Sequence, residues 1–241
     1  MKKLLRILPF AVLALGSLVP ARALVLSEVV SGSATINYDS SAFLVLNNPN
    51  FFDASSNNLT YSQIINQATP GNVQSWTGLV HAVNGATLPG GTRSTVQATT
   101  FSYDASDLTG TATGAIGLSG VTRFDVPAGL GGGVVTFGDM RLVYTASTWK
   151  IQAGFGWGSP FEAFTLSDVS ITGLSANGFT LSGDLNTNPA LAGFYQIDTG
   201  KPTGAFSIDV VATSVVPEPS SYAAIFGAFA GAMVVMRRRR R

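Results

Sequence analysis

The chain has 241 residues, 11% of them charged, with one histidine, no cysteine and a formal net charge of +1. These counts exclude a thiol nucleophile, disulfides and any metal centre built from cysteines or several histidines, and we expect no cofactor. Residues 24–216 carry five basic and twelve acidic side chains, a net charge of −7 that disfavours nucleic acid as a partner.

The N-terminus predicts a secretory signal peptide over residues 1–23, in a helix. Three basic residues within the first six precede an uncharged, mostly apolar stretch of 13 residues, 7–19. Small side chains at Ala21 and Ala23 then occupy the two positions that signal peptidase recognises. Thirteen residues are few for a membrane span, so we expect cleavage after Ala23 rather than a permanent anchor.

Residues 24–210 predict a single all-β domain, an antiparallel β-sandwich-like fold. Apolar and polar side chains alternate most clearly over 205–213, which is the pattern of a strand with one buried face. The exception is 58–68, whose apolar spacing favours a short helix. Short strands separated by Gly, Asn, Asp and Ser are typical of a sandwich. Further strands are predicted over 34–38, 42–46, 96–103, 121–126, 133–137, 140–145, 150–155, 169–172, 179–183 and 194–198.

Two motifs in this domain are candidates for catalysis, and we interpret both as structural. His81 is the one base available for a Ser-His-Asp triad, but no Gly-x-Ser-x-Gly sequence accompanies it. Asp104 and Asp107 form the closest carboxylate pair for glycoside hydrolysis, in a sequence that favours a polar turn. We therefore predict a non-catalytic protein, with a secreted glycoside hydrolase-like enzyme as an alternative.

A third motif has the oxygen spacing that opens a calcium loop. Asp184, Asn186 and Asn188 alternate along the chain, but the glycine and distal glutamate of such a loop are missing. We favour turn chemistry and predict no metal site. The glycine run at 129–133 lacks the Lys-Ser/Thr ending of a phosphate loop and favours a turn before a strand.

Three tryptophans are candidates for sugar binding: Trp76, Trp149 and Trp157. Flat aromatic rings stack on sugar faces, and the indole N–H is a hydrogen-bond donor. Two glycines and a proline surround Trp157, which suggests a loop that displays its ring, although a place in the core is the alternative. A carbohydrate-binding module is therefore the second functional hypothesis.

The C-terminus combines a linker over 211–220, an uncharged stretch over 221–236 and an arginine cluster. Prolines in the linker prevent it from continuing a helix or a sheet. The uncharged stretch predicts a short transmembrane helix of about 24 Å. Arginines cannot cross the hydrocarbon and would act as a stop-transfer signal in the cytoplasm. The linker motif is Val216, Pro217, Glu218, Pro219 and Ser220, and the cluster is Arg237, Arg238, Arg239, Arg240 and Arg241.

Residues 217–241 resemble the PEP-CTERM sorting signal, which occurs on exported proteins of Gram-negative bacteria. The Pro-Glu-Pro sequence, the apolar helix and the arginine cluster stand in the same order at the extreme C-terminus. The resemblance implies processing by exosortase, a membrane-embedded protease similar to cysteine transpeptidases. It also implies passage through the inner membrane to the cell surface or extracellular matrix, and an association with exopolysaccharide.

The leading hypothesis is accordingly an exported, non-catalytic surface or matrix protein. Its expected partners are the membrane before processing, signal peptidase, exosortase and a polysaccharide.

Overall fold

The computed structural model describes residues 25–53, 59, 61–66, 70–84, 98–154 and 160–215. The predicted signal peptide, the predicted sorting motif, the predicted transmembrane segment and the arginine cluster all lie outside these residues. Within the described ranges, no helix has the length and apolar character needed to cross a bilayer.

The described residues form ten strands and a few short helical segments. The strands are β1 (Leu26–Tyr38), β2 (Asn47–Phe52), β3 (Leu79–Ala82), β4 (Ser102–Tyr103), β5 (Ala115–Asp125), β6 (Val134–Thr145), β7 (Thr148–Gly154), β8 (Pro160–Ser175), β9 (Gly178–Thr187) and β10 (Gly204–Val215). The helices are α1 (Tyr61–Ile65), α2 (Leu108–Thr111) and α3 (Pro189–Tyr195), with a 3₁₀ turn at Ala128–Leu130.

All ten strands belong to one antiparallel sheet. Its order is β2-β5-β6-β7-β8-β9-β10-β1-β3, and β4 pairs with β1 outside this path. The predicted all-β class is therefore confirmed. The arrangement differs from a sandwich of two stacked sheets, because the single sheet curls into a nearly closed, barrel-like form. Strand twist favours such curling, and closure leaves fewer unpaired strand edges.

The sheet closes along a seam between β3 and β5, which we call the closure seam. A β-bridge joins Val83, just after β3, to Leu118 in β5. Beside it, the Ser119 hydroxyl donates a hydrogen bond of 3.1 Å to the carbonyl oxygen of Ala82. These contacts connect strands that are neighbours in space but more than thirty residues apart in sequence.

Side chains that point into the curled sheet form the hydrophobic core. On β10, Phe206, Ile208, Val210 and Ala212 are buried, which confirms the alternation predicted over 205–213. Aromatic rings fill much of the interior in edge-on and stacked contacts. The rings with centroids 5.3 to 5.9 Å from a neighbour include Tyr38, Phe43, Phe124 and Phe137.

Strand β1 runs the length of the sheet and defines its two ends. At one end Leu26 pairs with Val215, the last residue of β10, and we call this the chain-end pole. At the other end Tyr38 pairs with Gly204, and we call this the far pole. Thirteen strand residues rise about 3.3 Å each, so the two poles are about 40 Å apart along β1.

Several local predictions differ from the structure. The strand predicted over 42–46 is wrong, because the backbone N–H of Ala42 closes a turn on Asp39 and only Phe43 forms an isolated β-bridge. Of the strand predicted over 96–103, the described residues form only β4.

Within the range 58–68, where a helix is predicted, the described residues are helical over α1, and Ile64 of that helix is buried. The strand predicted over 194–198 is wrong, because the chain forms α3 and then turns at Gln196 in a left-handed conformation. Asn188 caps α3 through the backbone N–H of Ala190, and a proline follows at the first helical position.

The Gly120→Ala substitution is expected to destabilise the sheet at the closure seam. Gly120 has φ of +102°, and a methyl group there would lie 2.8 Å from ring atoms of Phe51. Positive φ and overpacking together predict a loss of about 3 kcal/mol in the free energy of unfolding. Urea denaturation of both proteins measures this loss.

The matched control is Gly129→Ala, where the added methyl group has no heavy atom within 4 Å. We expect its free energy of unfolding to change by less than about 0.5 kcal/mol. Equal midpoints for the two variants would contradict the proposed packing at the seam.

Candidate functional site

A cleft of about 540 Å³ opens at the far pole of the sheet. Two contacts with Tyr38, the residue of β1 at that pole, place the cleft there. The backbone N–H of Tyr38 donates to the carbonyl oxygen of Trp76 (2.7 Å). The ring of Phe124, next to Asp125, lies 5.4 Å from the Tyr38 ring. Three separate segments line the cleft, with Asn48, Pro49, Asn50, Pro70, Gln74, Ser75, Trp76, Arg123 and Asp125.

The first wall is held rigid by asparagine side chains at the β2–β5 pair. The register of this pair shifts between Asn47 and Asn50, and Asn48 takes a positive φ of 47° within the irregularity. The Asn48 amide donates to a carboxylate oxygen of Asp125 at 2.9 Å. The Asn50 amide donates to the Asn48 carbonyl oxygen and accepts the backbone N–H of Gly71. The two lining segments are thereby fixed to each other.

The second wall carries Trp76. This side chain is half-buried, and its ring centroid lies 5.5 Å from those of Phe43 and Phe124. One part of the indole is therefore held by the core while the ring also lines the cleft. Gln74, two residues earlier, is exposed and lines the same wall.

Arg123 forms the buried end of the cleft and is 3% exposed. Its Nη1 donates to the carbonyl oxygen of Ile64 at 2.6 Å, which ties helix α1 to β5. The guanidinium carbon lies 5.3 Å from the Phe52 ring centroid. Burial lowers the pKa of Arg123, and the charge of Asp125 opposes that shift. Arginine retains its proton at neutral pH even so, and the site has one positive and one negative charge side by side.

His81 belongs to the closure seam. Its ring is fully buried 4.6 Å from that of Phe51, and Nδ1–H donates to the carbonyl oxygen of Ser119 at 2.8 Å. In a Ser-His-Asp triad this nitrogen would be oriented by a carboxylate. Burial lowers the pKa of His81 to about 4, so the ring is neutral at pH 7. This environment favours the structural interpretation.

The carboxylates of Asp104 and Asp107 are used within a turn. Asp104 accepts the backbone N–H of Ser106 at 2.7 Å, and Asp107 accepts that of Gly110 at 2.9 Å, which caps α2. The polar turn predicted from the sequence is therefore present. Neither carboxylate lines the far-pole cleft.

The alternating oxygens of Asp184, Asn186 and Asn188 do not form a loop. The first two lie in β9, where the Asn186 amide donates to the Ser167 hydroxyl at 2.8 Å. The third is the N-cap of α3. Throughout the described part of the chain, no group of three or more His, Cys, Asp or Glu side chains could hold a metal ion.

The three candidate tryptophans have different places. Trp149 is 4% exposed and packs among Phe101, Tyr144 and Phe179, so its ring belongs to the core. Trp157 lies outside the described residues. Trp76 is the one that the structure places in a cleft, together with polar residues that sequence reasoning missed. The run of asparagine and proline around Asn48 is the sequence feature from which these polar residues could have been predicted.

The cleft is suited to binding a polar ligand without net charge. Its side chains supply amide donors and acceptors, one carboxylate, one guanidinium and an aromatic ring. Comparison with protein-family models and with characterised proteins gives no match for this chain. What the site binds must therefore be argued from its own residues.

The buried His81 predicts a specific pH dependence of stability. Because its pKa is lower in the folded protein than the usual value of 6.5, protonation favours unfolding. The contribution of the neutral His81 ring to the free energy of unfolding is fully present above about pH 6.5 and is lost as the pH falls towards 4. The expected loss is about 3 kcal/mol.

The matched variant is His81→Gln, whose amide still has an N–H for the Ser119 carbonyl but does not titrate. Urea denaturation between pH 7 and pH 4 should give the wild type a steeper fall in the free energy of unfolding than the variant. Parallel curves would show that His81 is not buried as a neutral ring.

Proposed function

We propose that the chain is an exported, non-catalytic protein of the cell surface or extracellular matrix, delivered by its C-terminal sorting signal. One structural observation supports this most directly. Leu26 and Val215 pair on adjacent strands at the chain-end pole. The predicted signal peptide ends just before the first of these residues, and the predicted sorting motif begins just after the second.

This pairing has a geometric consequence for a protein processed at both ends. The two predicted processing sites connect to the folded body at the same pole. A body that is translocated behind a signal helix and held by a C-terminal transmembrane helix is then tethered at that pole. The far-pole cleft, about 40 Å away along β1, faces outward from the membrane.

The proposed sorting route rests on the chemistry of the tail. Prolines at Pro217 and Pro219 have no N–H for a sheet ladder, so pairing of β10 cannot extend through them. We propose that exosortase recognises this proline-containing motif beside the membrane. After removal of residues beyond the motif, the body is released or attached at the surface, where a polysaccharide is its expected partner.

Two observations favour a binding role over hydrolysis. Asp104 and Asp107, the closest carboxylate pair in the sequence, accept backbone N–H groups in a turn. In the far-pole cleft, Asp125 lies beside a guanidinium and accepts a hydrogen bond from an asparagine amide. Among the described residues that line the cleft, Asp125 is the one carboxylate, whereas glycoside hydrolysis uses a pair.

Replacement of Pro217, Glu218 and Pro219 by alanine tests the sorting proposal. Without the prolines and the carboxylate, exosortase loses the segment that it recognises. We expect the variant to keep its tail and to stay in the membrane fraction of its native host, whereas the wild type leaves that fraction. Fractionation and immunoblotting with an antibody to the folded body measure the difference.

The matched control is Ser221→Ala, one residue beyond the motif, which should be processed like the wild type. Normal processing and release of the triple-alanine variant would overturn the sorting proposal.

A further inference from the structure

We propose that the far-pole cleft binds a neutral glycan, with Trp76 as the stacking surface and Gln74 and Asn48 as hydrogen-bonding groups. This site assignment goes beyond the proposed sorting route and does not depend on it. It follows from four properties of the cleft: its aromatic wall, its amides, its balance of charge and its size.

The aromatic wall is already in place before a ligand arrives. Contacts of the Trp76 ring with Phe43 and Phe124 restrict its rotation, and the backbone hydrogen bond from Tyr38 fixes its main chain. A ring that is held in advance loses little conformational entropy on binding. An indole that also lines an open cleft can offer its apolar surface to the C–H face of a sugar ring.

The amides match the hydroxyl groups of a sugar. Each hydroxyl both donates and accepts hydrogen bonds, and a primary amide does the same. Gln74 is exposed at the cleft beside Trp76. The Asn48 side chain also lines the cleft, and its hydrogen bond to Asp125 fixes its direction. Fixed polar groups next to an apolar surface provide orientation and specificity in small-molecule sites.

The charges of the cleft disfavour ionic ligands. Arg123 and Asp125 both line it, so their opposite charges largely cancel at the distance of a ligand. The acidic excess of residues 24–216 adds repulsion for anions such as phosphates and uronates.

The size of the cleft is consistent with a short stretch of a polymer. Its volume of about 540 Å³ lies within the range of about 300–1,000 Å³ that is usual for small-molecule sites. Its location at the far pole, opposite Leu26 and Val215, leaves it accessible while the body is tethered. A few sugar units of a longer chain could occupy it.

The test is isothermal titration of the full chain, purified in a polyoxyethylene detergent because detergents with sugar headgroups would compete. The probes are hexasaccharides of β-1,4-glucose, β-1,3-glucose, β-1,4-mannose and β-1,4-xylose, with hexagalacturonate as an acidic counterpart. We expect saturable binding of at least one neutral hexasaccharide and none of hexagalacturonate. Trp76→Ala should weaken that binding about tenfold or more, a loss typical of a central aromatic contact.

Gln74→Ala provides a second, independent variant, because this exposed residue contributes little to the core if Trp76→Ala fails to fold. It should weaken binding severalfold and leave the unfolding midpoint unchanged. Phe194→Ala is the matched control, since that ring is 71% exposed and does not line the cleft. Its affinity should equal that of the wild type.

Three results would overturn the proposal: no binding of any neutral hexasaccharide, binding of hexagalacturonate alone, or wild-type affinity in the Gln74→Ala and Trp76→Ala variants. None of these affects removal of the tail, so failure of the glycan site can be distinguished from failure of the sorting route.

Discussion

Closure of the sheet between β3 and β5 is the constraint on which the rest of the structure depends. An open sheet of this length would expose two strand edges that can pair with other chains. At the seam, the buried ring of His81 donates to the backbone of Ser119, and the Ser119 hydroxyl donates back to Ala82. Gly120 then allows the Phe51 ring to pack against β5. Polar and small residues at the seam therefore have structural reasons for their identity.

A second pairing, that of β1 with β10, separates the two ends of the molecule. Since β10 returns beside β1, both ends of the folded body lie at one pole, and the cleft opens at the other. The cleft itself depends on closure of the sheet, because its walls come from β2, from the segment around Trp76 and from the end of β5. Those walls are held in place by the aromatic core beneath Trp76 and by the hydrogen-bonded asparagines of β2. The proposed tether and the proposed ligand site thus occupy opposite ends of one body.

The sequence allowed the strand-rich class and several local features to be predicted. Alternation over 205–213 and the aspartates of the turn at Asp104 were sufficient, because their causes lie within a few residues. The pairing of β1 with β10 could not be predicted, because it joins residues up to 189 positions apart, such as Leu26 and Val215. The cleft was missed for the same reason. Residue type alone also did not distinguish Trp149 in the core from Trp76 at the cleft, because burial depends on the assembled sheet.

The central claim is that a folded, outward-facing body is delivered by ends that the cell removes. Intact mass spectrometry of the mature protein from its native host tests this most directly. The account predicts a chain that starts at Leu24 and ends near the Pro-Glu-Pro sequence, with or without an attached group. A mature mass that still includes Arg237 to Arg241 would contradict it, and the protein would then be permanently anchored in the membrane.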